Sequence, residues 1–296
     1  MTEQLTIPPA AAPVQITEPG PYEGMPEADY HGDPVPGGSL SSTGTRKLLP
    51  PSCPAKFRYW LDHEQAPKTV FEEGSAAHKL VLGVGPKLEL VDKARWDTNE
   101  VKAKLAEIRA RGDIPLKKPQ YDMVHAMAEA LRSDPIAGPL LDPARGVSEL
   151  SLFWRDHSVW GRARLDRLTW IGQRGRPVIV DYKTCASAAP AKVEKAISDR
   201  GYHIQGAHYT AGARALLLGG EDLGFLLVMQ EKEPPYLVTV VEPDSTAMRM
   251  GAIRVRQAFD LYAECQASDR WPGYADDVVL AELPPWETRE LKGEVW

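Results

Sequence analysis

The chain has 296 residues, 43% of them hydrophobic and 26% charged, with a formal net charge of -6. That make-up fits a soluble globular protein with room for one large domain or two small ones. No apolar run approaches the ~18 residues needed to cross a bilayer, so no membrane partner is expected. The opening MTEQLTIPPAAAPVQ lacks the basic start and apolar stretch of a secretory signal. Cys53, Cys185 and Cys265 lie far apart with no CxxC pair. They suit a reducing cytoplasm and cannot build a four-cysteine iron–sulfur cluster within one chain.

Residues 1–37 are rich in Pro, Gly, Ala and acids with no apolar period, and they read as a disordered tail. Order is expected to begin at GGSLSSTGTRKLLPPSCPAKFRYWLDH. There Ser39 to Thr43 offer helix N-caps, Pro50 and Pro51 stop a first short helix, and a second helix carries Phe57, Tyr59 and Trp60. TVFEEGSAAHKLVLG reads as a helix ending at Gly83. NEVKAKLAEIRARG and YDMVHAMAEALRSD show the three-and-four apolar spacing of amphipathic helices.

The pattern then changes. VSELSLFWRD and VWGRARLDRLTW read as two strands joined at the short HS connection, and PVIVDYKT as a third. Val178, Ile179 and Val180 in succession predict burial on both faces, hence a central strand. One long helix is expected from about Ala191 to Leu218, then strands at GFLLVMQ and YLVTVVEP, then a helix over Ser245 to Ala267. The expected fold class is mixed α/β: a sheet of about five strands flanked by helices. The expected single domain, 38–290, divides into a helical part, 38–145, and a sheet core, 146–290.

The acidic balance argues weakly against nucleic-acid binding, because phosphates call for Lys and Arg. The distribution says otherwise: Arg155, Arg162, Arg164, Arg167, Arg174 and Arg176 are accompanied only by Asp156 and Asp166. By strand alternation Asp181 and Lys183 point to one side, and Asp166 shares a face with Arg162 and Arg164. If the two strands are neighbours, the two aspartates converge. Converging carboxylates repel unless a hard cation such as Mg²⁺ lies between them. A lysine beside that cation can orient the attacking water and stabilise charge on a phosphate, as in metal-assisted phosphodiester hydrolysis. Solvated surface charge is the competing reading of these residues. GVGPKLEL lacks the Lys-Ser/Thr of a phosphate loop, and no Gly-x-Ser-x-Gly elbow occurs. Trp154, Trp160 and Trp170 fit core packing better than base stacking, and His125, His203 and His208 read as structural or surface groups.

Asp166 followed by Asp181-Tyr182-Lys183 resembles the PD-(D/E)XK nuclease motif. The blocks GSAAHKLVLG, SELSLFWRD, GRARLDRL, IVDYKT, YHIQGAHYT and WPGY…LPPWE, in this order, are similar to RecE-type exonucleases (exodeoxyribonuclease VIII-like, phage versions included). The resemblance spans about residues 38–290. It implies Asp166 and Asp181 as metal ligands, Lys183 as the catalytic lysine, His78 as a further ligand and Glu149 as a motif glutamate. It further implies Gln205 and Tyr209 as a Gln-x-x-x-Tyr motif for DNA contact and active-site support. Arg162 and Arg164 are expected at phosphates, or else paired with nearby acids. The implied cofactor is Mg²⁺, with Mn²⁺ also suited by an imidazole ligand. The implied activity is 5′-to-3′ resection of one strand of linear duplex DNA, leaving a 3′ tail for a strand-annealing partner. The implied assembly is a ring of identical copies. A nuclease-fold DNA-binding protein without catalysis, or a nuclease with single-strand or endonucleolytic activity, are the alternatives.

Overall fold

The computed structural model describes residues 14–63, 72–93, 95–284 and 287. The start of the expected tail, residues 1–13, and Pro285 and Trp286 of the closing block lie outside these.

A seven-stranded mixed sheet organises the molecule. Its long strands are β5 (Gly146–Asp156), β6 (Val159–Ile171), β7 (Arg176–Cys185), β8 (Gly224–Glu231) and β9 (Val238–Val241). They lie in that order, after β1 (Gly20–Tyr22) at the other edge, while β2 (Leu40–Ser41) pairs with β6. β5–β6, β6–β7 and β8–β9 are antiparallel, and β7–β8 is parallel. The parallel pair requires a crossover, which two helices supply. Val178, Ile179 and Val180 are fully buried, as their uninterrupted apolar run predicts. β1 and β2 have three and two residues, too few for a readable period, so the expected five strands are the long ones.

Each face of the sheet carries helices. One is covered by α2 (Ser42–Leu48), α8 (Pro190–Asp199), α9 (Tyr202–Ala215) and α10 (Ser245–Ser268), around Leu48, Phe57, Trp154, Ile179, Ala213 and Phe259. Over β7 and β8, the other is covered by α4 (Glu72–Leu82), α6 (Lys118–Ser133) and α7 (Ala137–Leu141), with Met127, Leu131 and Leu140 against Val178, Val180 and Val228. Ser41 caps α2 by accepting the Gly44 amide, and Gly83 leaves α4 with φ 75°. α3 (Pro54–Asp62) buries Phe57 and leaves Tyr59 exposed. α5 (Asn99–Ala110) and the small parallel pair β3 (Leu88–Leu90) and β4 (Ile114–Leu116) complete this part. No helix among the described residues is long and apolar enough to cross a membrane.

Two expectations are corrected. The long helix after β7 is broken, because Gly201 adopts φ 65° and separates α8 from α9. The described part of the expected tail, 14–37, forms β1 and α1 (Glu27–His31). β1 pairs with β5, and Ile16, Met25, Tyr30 and Val35 are buried with Phe153 and Trp160. Four apolar anchors spaced through a polar strap show no period, yet each finds a slot on the β5–β6 face.

Candidate active site

The candidate site forms where the pleat of β5 and β6 breaks and β7 parts from β6. Leu165 and Leu168 both enter the same core, as do Val147 and Leu150 on β5. A regular strand would send residues three apart to opposite faces. The break falls at Asp166 on one strand and at Glu149 on the other. Paired residues Ser148–Arg167 and Leu150–Leu165 bracket these two, so they lie opposite each other. Glu149 has φ 54°, an uncommon conformation for a side-chain-bearing residue outside turns. The β6–β7 ladder ends at Arg167–Val180, one step before Asp166 and Asp181. The amide of Tyr182, freed from the ladder, donates to Asp166 Oδ2 at 2.8 Å. Tyr182 itself is anchored on the far face, where its hydroxyl donates to Gln230 Oε1 at 2.6 Å and Gln230 donates to the Met127 carbonyl at 2.8 Å.

From α4, His78 packs edge-on against the Tyr182 ring, centroids 5.0 Å apart, with Nδ1 3.8 Å from Asp166 Oδ2. One ligand atom each from His78, Glu149 and Asp166 lie within 4.8 Å of one another. Two carboxylates and an imidazole at that spacing fit a divalent cation, Mn²⁺ as readily as Mg²⁺. This set differs from the expected one: Glu149 joins His78 and Asp166, while Asp181 sits beside them with other partners. Asp181 is fully buried. Its Oδ1 accepts from Gln205 Nε2 at 2.8 Å, while its Oδ2 has no hydrogen bond of good geometry and lies 2.5 Å from the Lys183 ammonium as an ion pair.

Burial pushes both aspartates up to about 6, against the pull of Lys183. The Glu149 charge adds to the rise at Asp166, and the Asp166 charge to the rise at Asp181. Burial alone would lower Lys183, but Asp181 and Asp166 outweigh it, so the ammonium is held above its ordinary value. His78 keeps 30% of its side chain exposed. Desolvation by the packing around it, aided by the Lys183 charge, moves it below the ordinary imidazole value.

The remaining expected residues divide. Gln205 and Tyr209 lie one turn apart on α9, but both are buried, with Gln205 Nε2 also 2.9 Å from the Tyr209 hydroxyl. They support Asp181 rather than present a surface to DNA. α9 comes this close because Gly206 sits over Phe225, where a Cβ would be 2.4 Å from the ring. Arg164 is ion-paired with Glu149 and donates to the Met25 carbonyl at 2.9 Å and to Ser151 Oγ at 3.0 Å, so it positions the glutamate. Arg162 does not reach a phosphate position: it is buried, ion-paired with Asp33, and donates to the Ser39 carbonyl and hydroxyl at 2.8 Å. Its partner lies in the segment whose composition reads as tail. His208, expected as structural or surface, is fully buried, its Nε2 3.0 Å from the Arg162 carbonyl.

The chain belongs to the family described as "PDDEXK-like domain of unknown function (DUF3799)", matched over residues 41–283. This places it in the PD-(D/E)XK superfamily, whose nuclease fold the mixed sheet and its flanking helices match. No curated protein matches the sequence. Among solved structures, one described as a "Putative exonuclease" from Eubacterium rectale superposes with a TM-score of 0.57 at 15% identity, covering 89% of this chain and 95% of that one. At that identity the likeness speaks for the fold. The structure of SSO0001 gives a TM-score of 0.28 at 14% identity, covering 72% of this chain and 91% of that one, and adds nothing.

Proposed function

We propose that this protein is a divalent-metal-dependent DNA exonuclease of the RecE type. In this reading it resects one strand of linear duplex DNA from the 5′ end and leaves a 3′ tail for a strand-annealing partner in recombination. The observation that carries the reading is the convergence of Asp166, Asp181 and Lys183 with Glu149 and His78 at one break in the sheet. The family's PD-(D/E)XK character supports nuclease chemistry, and the fold neighbour's description supports an exonuclease. Polarity, the 3′ tail and the annealing partner rest on the sequence resemblance alone.

His78, Glu149 and Asp166, with Asp181 beside them, are the residues that would hold the cation. When bound, a divalent ion supplies charge stabilisation on the phosphoryl oxygens and a more acidic water. Lys183, kept protonated by its carboxylate neighbours, donates hydrogen bonds and positive charge to the phosphate rather than serving as a base. Gln205 fixes one oxygen of Asp181 and leaves the other turned to Lys183. Arg164 fixes Glu149 from the side of the strap. In hydrolysis the water oxygen bonds to phosphorus as one P–O ester bond breaks, and the leaving oxygen takes up a proton.

The test is digestion of linear duplex DNA labelled at either end, with and without a 5′ phosphate, in Mg²⁺ and in Mn²⁺. The expected result is loss of the 5′-labelled strand by the wild type and none by Lys183→Ala. Equal activity of the two proteins would refute the reading, and cleavage of closed circles would make the enzyme an endonuclease.

A further inference from the structure

After α10 the chain turns back onto α3 and is tied there. The Ala55 amide donates to the Pro272 carbonyl at 3.0 Å, the Trp271 ring lies 5.9 Å from Phe57, and the Lys56 ammonium lies 5.0 Å over the Tyr274 ring. Beyond this root the chain runs as an arm that the rest of the molecule does not cover. Every residue of 273–283 is exposed, in neither helix nor strand. Val278, Val279, Leu280 and Leu283 are 95%, 67%, 86% and 65% exposed. Single exposed apolar residues are ordinary, but a consecutive run of them on a polar surface marks a contact site. Asp277 and Glu282 bracket the run, and neither forms an ion pair among the described residues.

A surface of matching character lies elsewhere on the molecule. α10 crosses α9 closely because Gly251 has no side chain: a Cβ there would be 2.2 Å from the His203 carbonyl oxygen. The small residues Ala211 and Ala252 beside this crossing leave a groove of about 200 Å³, with Phe225 and Met248 in its wall. At its rim Arg176 and Glu242 satisfy each other at 2.6 Å. Arg214, also at the rim, reaches only the Glu221 carbonyl, at 3.5 Å, and Arg249, next to Met248, forms no ion pair among the described residues. The groove is therefore apolar with a cationic border, and the arm is apolar with acidic flanks. Val278 and Leu280, two apart, point to one side of an extended chain, so both can enter one groove while the flanking acids meet Arg214 and Arg249. The arm of the same chain is held away from it. Met248 and Ala252 lie in the first half of α10, whereas the arm is rooted where Phe57 packs on Tyr262, near the end of that helix.

We propose that the arm, residues 277–283, of one copy docks in the α9–α10 groove of a second copy of this chain. Arm and groove are unlike surfaces, so the contact is heterologous. No group of the candidate active site takes part, so failure of this proposal leaves the nuclease reading as it stands. The test is sedimentation of the full chain over a wide range of concentration. The wild type is expected to associate. Val278→Asp combined with Leu280→Asp on the arm, or Ala252→Arg in the groove, is expected to raise the dissociation constant by about a hundredfold. All three positions are exposed, so the melting temperature is expected to stay at the wild-type value. Mixing the arm variant with the groove variant, each monomeric alone, is expected to restore association, because the mixture holds one intact arm and one intact groove. A wild type that stays monomeric at every concentration, association that survives both variants, or a mixture that fails to pair would overturn the proposal.

Discussion

Two clusters that bring acidic and basic side chains together are buried along β5 and β6, and the two are built on opposite principles. Under the N-terminal strap, Arg162 meets Asp33, and Ser39 donates to both Asp33 oxygens, at 2.7 and 2.8 Å, while accepting from Arg162. A few residues along, Glu149, Asp166 and Asp181 crowd together with Lys183 and Arg164 as the cations in contact with them, and both aspartates are driven up to about 6. Charge buried under the strap is matched by opposite charge. Charge buried at the candidate site is left in excess, which is the condition a cation relieves.

The contrast is broken most severely at Lys183 and Asp181. Lys183→Ala or Asp181→Asn should lower cleavage by about a thousandfold, with thermal unfolding showing the fold intact. The strap should respond in the reverse sense. Asp33→Ala leaves Arg162 buried without its carboxylate, which costs on the order of 3 kcal/mol in denaturant unfolding, with little effect on the activity of the folded fraction. Gln205→Ala should reduce cleavage about tenfold by freeing Asp181, and Tyr209→Phe only a few-fold, because it removes a hydroxyl one bond further away.

The pH response follows from the raised carboxyls. Asp166 and Asp181 bind protons more readily in the folded chain than in the unfolded one. Their contribution to stability is therefore full below the ordinary carboxylate value of about 4 and is lost as pH rises to about 6. His78 and His208, both pushed down to about 4 by burial, act with the opposite sign, so the metal-free protein should show a nearly flat profile over this window. Mn²⁺ affinity should not be flat: it should fall as pH drops through about 6, where protons compete for the two aspartates. Calorimetric titration between pH 5 and 7.5 measures this, and an affinity independent of pH would contradict it.

Much of the site was legible in the sequence because its signals are local. The apolar run 178–180 places Asp181 directly after the buried stretch of a central strand, and Gln205 and Tyr209 share a helix face by spacing. What alternation missed is the break at Glu149 and Asp166, which brings Glu149 rather than Asp181 into the ligand cluster. A pleat reversal depends on both strands at once and leaves no mark in either. The direction of Gln205, toward Asp181 instead of outward, depends on how close Gly206 lets α9 approach β8. The fate of Arg162 was hidden in Asp33, more than a hundred residues earlier in a segment of tail-like composition. For Arg164 the pairing with a nearby acid, one of its two expected fates, is the one realised, and its partner Glu149 lies on the neighbouring strand.

The most direct test is the melting temperature of wild type and Asp166→Asn at pH 7, each with and without Mn²⁺. An excess of buried carboxylate predicts that the metal-free variant melts above the wild type, and that Mn²⁺ stabilises the wild type and leaves the variant unchanged. A metal-free variant that melts lower, or a wild type indifferent to Mn²⁺, would show that these carboxylates hold the fold and not a cation.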